Sequence, residues 1–213
     1  MTPTTGTGKY EALLTRCSSL PAVPTAVVHP CEESALTGAI EAGEHGLIEP
    51  ILVGPTDKIQ EIARKSGINL GKARIVEAPH SHASAAKAVE LVRKGQAELL
   101  MKGSLHTDEL LGAVVARETG LRTGRRISHV FIMDVPTYHK VLIVTDAAIN
   151  IAPTLEDKVD ISVNAIDLAR TLGVDKPKVA VLAAVETVNS KMPATLDAAA
   201  LCKMADRVGR AHV

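Results

Sequence analysis

Four short apolar runs, at residues 25–28, 51–53, 73–76 and 98–101, alternate with segments whose apolar residues recur at helical spacing, such as Ala85, Ala88 and Val92. A second such stretch is Leu110, Leu111, Val114 and Val115. The strand-like runs are continuously hydrophobic rather than alternating, the pattern expected where helices cover both faces of a sheet. The reading is therefore α/β: a three-layer α/β/α domain with a mostly parallel sheet. Tyr10, Phe131 and Tyr138 are the only aromatic residues apart from histidine, so Ala, Val, Ile and Leu must build the core.

The pattern changes after Gly120. Two apolar runs, 129–133 and 141–145, are joined by residues 134–140, too short a link for a crossover helix, which predicts an antiparallel pair. Thr154 with Asp157 three residues on predicts a capped helix carrying Ile161, Ala165, Leu168 and Leu172 on one face. A strand over 178–185 and a final helix after a cap at Thr195 complete the expected elements. One strand and two helices cannot enclose a core. The expected architecture is thus two domains, a first α/β/α domain over 1–145 and a partial, incomplete second domain over 146–213. Apolar surface left open on the second domain predicts self-association.

Composition removes several function classes. Lys and Arg number 24, as do Asp and Glu, so no net charge favours nucleic acid or an anionic membrane. No apolar stretch approaches the roughly 18 residues of a membrane span, and no leader-like run opens the chain. Cys17, Cys31 and Cys202 have neither disulfide-framework nor zinc spacing, which points to a reducing, cytoplasmic setting. Gly6-Thr7-Gly8-Lys9 looks like the end of a phosphate-binding loop but follows no strand, and reads as a flexible arm. His80 and His82 read as a solvated turn rather than a metal site, and no metal is expected.

Chemistry in such folds sits on loops leaving the carboxyl ends of strands, and three loops qualify. In Lys102-Gly103-Ser104-Leu105-His106-Thr107-Asp108, glycine admits close backbone approach and a helix N-terminus comes next, which suits a phosphate. The same residues also describe an ordinary helix-capping turn, and Asp108 and Glu109 oppose an anion. Asp146 and Asn150 flank small apolar residues after a strand, where they can orient a cation or a substrate, or satisfy backbone groups. Asn189, Ser190 and Lys191 form the third loop, in which Lys191 can meet a phosphate or simply remain solvated.

These loops also carry a resemblance. The run Met101-Lys102-Gly103-Ser104-Leu105-His106-Thr107 through Leu111, the segment Ile127-Ser128-His129-Val130-Phe131-Ile132-Met133, the loop from Thr145 to Pro153 and the stretch from Pro177 to Asn189 resemble the phosphate acetyltransferase and phosphate butyryltransferase family. The likeness runs from about Tyr10 to about Arg207. It implies reversible acyl transfer between coenzyme A and inorganic phosphate, two α/β/α domains with the active site between them, and a homodimer. Acyl-CoA and phosphate are then substrates, with no separate cofactor. Lys102, Gly103, Ser104, His106 and Thr107 would line the phosphate and acyl end, faced by Asp146 and Asn150, with Lys191 a further substrate contact.

The family's base, an Asp, and its assisting Arg and Ser lie in a carboxy-terminal segment that these 213 residues do not contain, so the resemblance assigns no catalytic residue here. Leu111 departs from members that carry an Arg there, and the residues after Arg207 depart from the family pattern. Acetyl transfer ranks first, with phosphate butyryltransferase and an inactive, truncated CoA- or anion-binding remnant as alternatives. A relative of metal-dependent hydroxyacid dehydrogenases would need clustered acidic ligands, which the sequence does not present.

Overall fold

A computed structural model describes residues 8–208. The chain divides into two compact units, Glu11–Thr123 and a second comprising Met1–Tyr10 with Gly124–Val213.

The first unit obeys the alternation of its sequence. Strands β1 (Val23–Val28), β2 (Ile48–Gly54), β3 (Arg74–Glu77) and β4 (Leu99–Lys102) form a wholly parallel sheet in the order β3-β2-β1-β4. Helices α2 (Glu33–Glu44), α3 (Thr56–Lys65), α4 (Ser81–Arg93) and α5 (Thr107–Val114) come after the successive strands. Because side chains along a strand alternate faces, Val27 and Leu52 pack against Leu36, Ala39 and Ile40 of α2 and Ile59 and Ala63 of α3. Their neighbours Ala26, Val28, Ile51 and Val53 pack against Ala85, Ala88 and Leu91 of α4 and Leu110 of α5. The sheet is therefore sandwiched on both faces, as the continuous apolar runs require. Each fully buried Val, Leu or Ile contributes roughly 1.5–3 kcal/mol. The chain winds outward from β1 to β3 and then crosses to β4 on the other side of β1, which puts the reversal of strand order between β1 and β4.

In the second unit, β5 (Val130–Met133) and β6 (Leu142–Thr145) form the expected antiparallel pair, with Phe131 opposite Val144 and Ile132 opposite Ile143. Neither strand joins the parallel sheet. The break between units accordingly falls at Gly124, upstream of the Thr145/Asp146 boundary expected from the sequence, and the hairpin groups with the carboxy-terminal residues rather than with the parallel sheet. Phe131, Ile132, Met133, Leu142 and Val144 are exposed. Helix α6 (Leu155–Thr171) starts as its capping signature predicts: Thr154 Oγ1 accepts the Asp157 N–H at 3.2 Å, and the Asp157 carboxylate accepts the Thr154 N–H at 3.0 Å.

Three local expectations are corrected. The buried side chains of α6 are Ile161, Ile166 and Ala169, so the stripe is rotated away from Ala165, Leu168 and Leu172, which remain half-buried. Residues 179–183 form no strand, and Leu182 is 85% exposed; a hydrophobic run becomes a strand only where a neighbour accepts its backbone hydrogen bonds. Helix α7 (Pro193–Val208) begins at Pro193, whose missing N–H suits a first helical position. Thr195 lies inside the first turn, buried, its hydroxyl accepting the Asn189 N–H at 2.9 Å.

At the amino end, Gly6 and Thr7 of the expected arm lie outside the described residues. Lys9 does not belong to an arm: it begins α1 (Lys9–Cys17), pairs with Asp134 at 3.1 Å and donates to the carbonyl oxygens of Val135 and Tyr138. No described helix is long and apolar enough to cross a membrane.

Candidate functional site

The reversal of strand order in a doubly wound sheet opens a crevice at the carboxyl ends of the strands that flank it, here β1 and β4. Four hydrogen bonds stitch the two strand exits together. Gly103 N–H donates to Val28 O at 2.9 Å, and Ser104 N–H to His29 O at 2.9 Å. The Ser104 hydroxyl donates to His29 O at 2.8 Å and accepts the Cys31 N–H at 2.9 Å. A Cβ at residue 103 would lie 2.4 Å from Val28 O and 2.7 Å from His29 O, so only glycine allows the strands to meet this closely. Gly103 and Ser104 thus act first as fasteners of the loop.

His29, which sequence reasoning missed, is 8% exposed and has a left-handed backbone with φ 54°. Its Nδ1 lies 3.2 Å from Ser84 Oγ, and that hydroxyl donates to His80 O at 2.9 Å. The network therefore assigns the proton to Nδ1 of His29 and leaves Nε2 as the acceptor. Burial lowers the His29 pKa, helped by Lys58 and His80 and opposed by Glu109. Neutral imidazole is the favoured form.

The rest of this loop leads into α5. His106 precedes the helix, and its N–H donates to Glu109 Oε2 at 3.1 Å. Glu109 Oε1 accepts the Ser81 hydroxyl at 3.0 Å and lies 3.0 Å from His82 Nδ1, joining the first turns of α4 and α5. Burial opposes ionisation of Glu109, yet these donors and the neighbouring histidines hold its carboxyl below the ordinary range. His80 caps α4, its Nδ1 accepting the Ala83 N–H at 3.2 Å. Lys102, His106 and Thr107 are exposed, and the Lys102 ammonium lies 3.4 Å from Gly103 O.

In the second unit Asp146 and Asn150 are brought together, along with Arg126, which the sequence pattern did not single out. Asp146 accepts the His129 N–H at 2.6 Å on one oxygen, and the Asn150 N–H at 2.6 Å and Asn150 Nδ2 at 2.8 Å on the other. Burial works against the charge, but these hydrogen bonds keep the Asp146 carboxyl below its usual range. Asn150 Nδ2 also donates to Ile127 O at 3.0 Å, while its Oδ1 accepts Arg126 Nε at 2.7 Å. The amide orientation is fixed by its partners, and Asp146 orients a cation through it. Lys191 is exposed; its N–H donates to Asn189 Oδ1 at 2.9 Å, and it joins neither cluster by a hydrogen bond. Among the described residues no group of three or more His, Cys, Asp or Glu is placed to hold a metal ion.

Residues 80–211 match the family model described as Phosphate acetyl/butaryl transferase, a stretch of more than half the chain that contains the β4–α5 loop, Arg126, Asp146, Asn150 and Lys191. This chain belongs to that family. Over 93% of its length it is 58% identical to the phosphate acetyltransferase of Rhizobium meliloti, covering 63% of that protein. It is 39% identical to the phosphate butyryltransferase of Clostridium acetobutylicum over 93% of its length, covering 66% of that protein. A branched-chain phosphotransacylase from Enterococcus faecalis V583 superposes with a TM-score of 0.67 at 26% identity, covering 89% of this chain and 67% of that one. The chain spans about 56–63% of the length of several acetyltransferase relatives it matches. The α/β fold with a mostly parallel, helix-flanked sheet is thus that of the family's transferases.

Proposed function

We propose that this protein is a phosphate acetyltransferase: acetyl-CoA + phosphate = acetyl phosphate + CoA. The observation that carries this reading is the 58% identity to an acetyltransferase over nearly the whole chain, against 39% to a butyryltransferase. In the forward direction a phosphate oxygen attacks the thioester carbonyl, the C–O bond forms, the C–S bond breaks and the CoA thiolate takes up a proton. The oxyanion formed on the way needs hydrogen-bond donors or a cation. CoA is a substrate rather than a resident cofactor, and the working form is a cytoplasmic homodimer.

Under this reading the Lys102, His106 and Thr107 side chains bind the phosphate and acyl end, Gly103 holds the loop against β1 through its N–H to Val28 O, and Lys191 is a further substrate contact. Ser104 serves by holding the loop, since its hydroxyl already donates to His29 O and accepts from Cys31. Asp146 and Asn150 serve as positioning residues. The test is ³¹P NMR of acetyl-CoA mixed with phosphate and the purified chain. An acetyl phosphate resonance that grows with time supports the proposal; its absence with folded protein contradicts it.

A further inference from the structure

Arg125 and Arg126 are adjacent, yet the fold treats them differently. Arg125 Nη1 donates to Asp167 Oδ2 at 2.9 Å and lies 3.3 Å from Asn164 Oδ1, so its charge is committed. Arg126 is anchored everywhere except at its tip. Its backbone N–H donates to Asp160 Oδ2 at 2.7 Å, and its carbonyl accepts Asn164 Nδ2 at 2.9 Å. Its Nε donates to Asn150 Oδ1, which cannot rotate away because Nδ2 of the same amide is held by Asp146 and by Ile127 O. The two terminal guanidinium nitrogens make no hydrogen bond among the described residues, and the side chain is 52% exposed. Asp157 Oδ1 stands 3.6 Å from Nε, beyond hydrogen-bond reach, while the same carboxylate accepts the Thr154 N–H.

A free arginine tip loses rotamer entropy when a ligand immobilises it, and a pre-positioned one loses less. Its remaining donors present the planar fork that fits two oxygens of a phosphoryl group. Asp157 and Asp160 temper the local positive charge, which favours a ligand that forms directed hydrogen bonds over a diffuse counter-ion. We propose that Arg126 is a phosphoryl-binding residue held in place by Asn150 and Asp146, its ligand being inorganic phosphate or a phosphate of coenzyme A. The choice of these two ligands rests on the acetyltransferase reading.

The test is calorimetric titration of the full chain with inorganic phosphate, with CoA and with pantetheine, which lacks phosphates. Arg126→Gln is expected to weaken binding of phosphate or of CoA by tenfold or more and to leave pantetheine unchanged. Arg126→Lys, which keeps the charge and the fold but lacks the fork, should fall between. Loss confined to phosphate places inorganic phosphate at Arg126, and loss confined to CoA places a CoA phosphate there; either upholds the inference. Binding of both within twofold of wild type in either folded variant overturns it, as does a wild-type chain that binds neither. Arg126-dependent binding in a chain without turnover would sink the acetyltransferase reading alone. Turnover with unchanged KM for phosphate and acetyl-CoA in Arg126→Gln would sink this inference alone.

Discussion

Asp146 grips Asn150 twice, through its backbone N–H at 2.6 Å and its side-chain amide at 2.8 Å, on a single carboxylate oxygen. The second oxygen takes the His129 N–H, so the carboxylate joins the residue before β5 to the loop after β6.

Replacing Asp146 by Asn puts an N–H₂ against at least one of those donors. Losing charge-assisted bonds and leaving a donor unpaired should cost about 2–3 kcal/mol, read as a lowered denaturant midpoint. Because the folded carboxyl titrates below its ordinary value, its stabilisation is present above the unfolded value and is lost as pH falls through the folded one. The Asn variant should lack that acid-side loss. An unchanged midpoint and acid profile would contradict the assignment.

Gly103→Ala should be far more damaging than Ser104→Ala. The added methyl meets Val28 O at 2.4 Å, backbone against which it has no room, and the variant is expected to fold poorly. Ser104→Ala removes one acceptor from Cys31 N–H and one donor to His29 O, costing about 1–2 kcal/mol. Thermal unfolding of both variants checks the order.

His29 predicts a pH dependence near neutrality. Its folded pKa lies below 6.5, so as pH falls through 6.5 the unfolded chain takes the proton first and stability declines, continuing to do so until the folded value is reached. His29→Asn keeps a residue tolerant of φ 54° and should flatten this decline. Denaturant midpoints between pH 5 and 7.5 measure it; parallel curves for wild type and variant would refute it.

The sheet of the first unit was legible because residues such as Val27 and Leu52 sit in continuous apolar runs, which a short strand needs when helices cover both of its faces. Residues 179–183, within the expected strand over 178–185, had the same pattern and formed no strand, since pairing is decided by neighbours that a local run does not name. Thr195 looked like a cap, but Pro193 two residues earlier already satisfied the requirements of a helix start. In the site, Asp146 and Asn150 stood out by contrast with their small neighbours. Arg126 and His29 did not: the partner that orients Arg126, Asn150, is 24 residues away in sequence, and the partner that orients His29, Ser84, is 55 residues away.

The most direct test of the central claim is phosphate-dependent CoA release from acetyl-CoA and butyryl-CoA, run side by side on the folded chain. Turnover with both is expected, with kcat/KM higher for acetyl-CoA by at least about tenfold, since the two acyl groups differ by two methylenes and a pocket discriminates by about 10–200-fold for one. Higher kcat/KM for butyryl-CoA would contradict the acyl assignment, and no release from either would contradict the proposed activity itself.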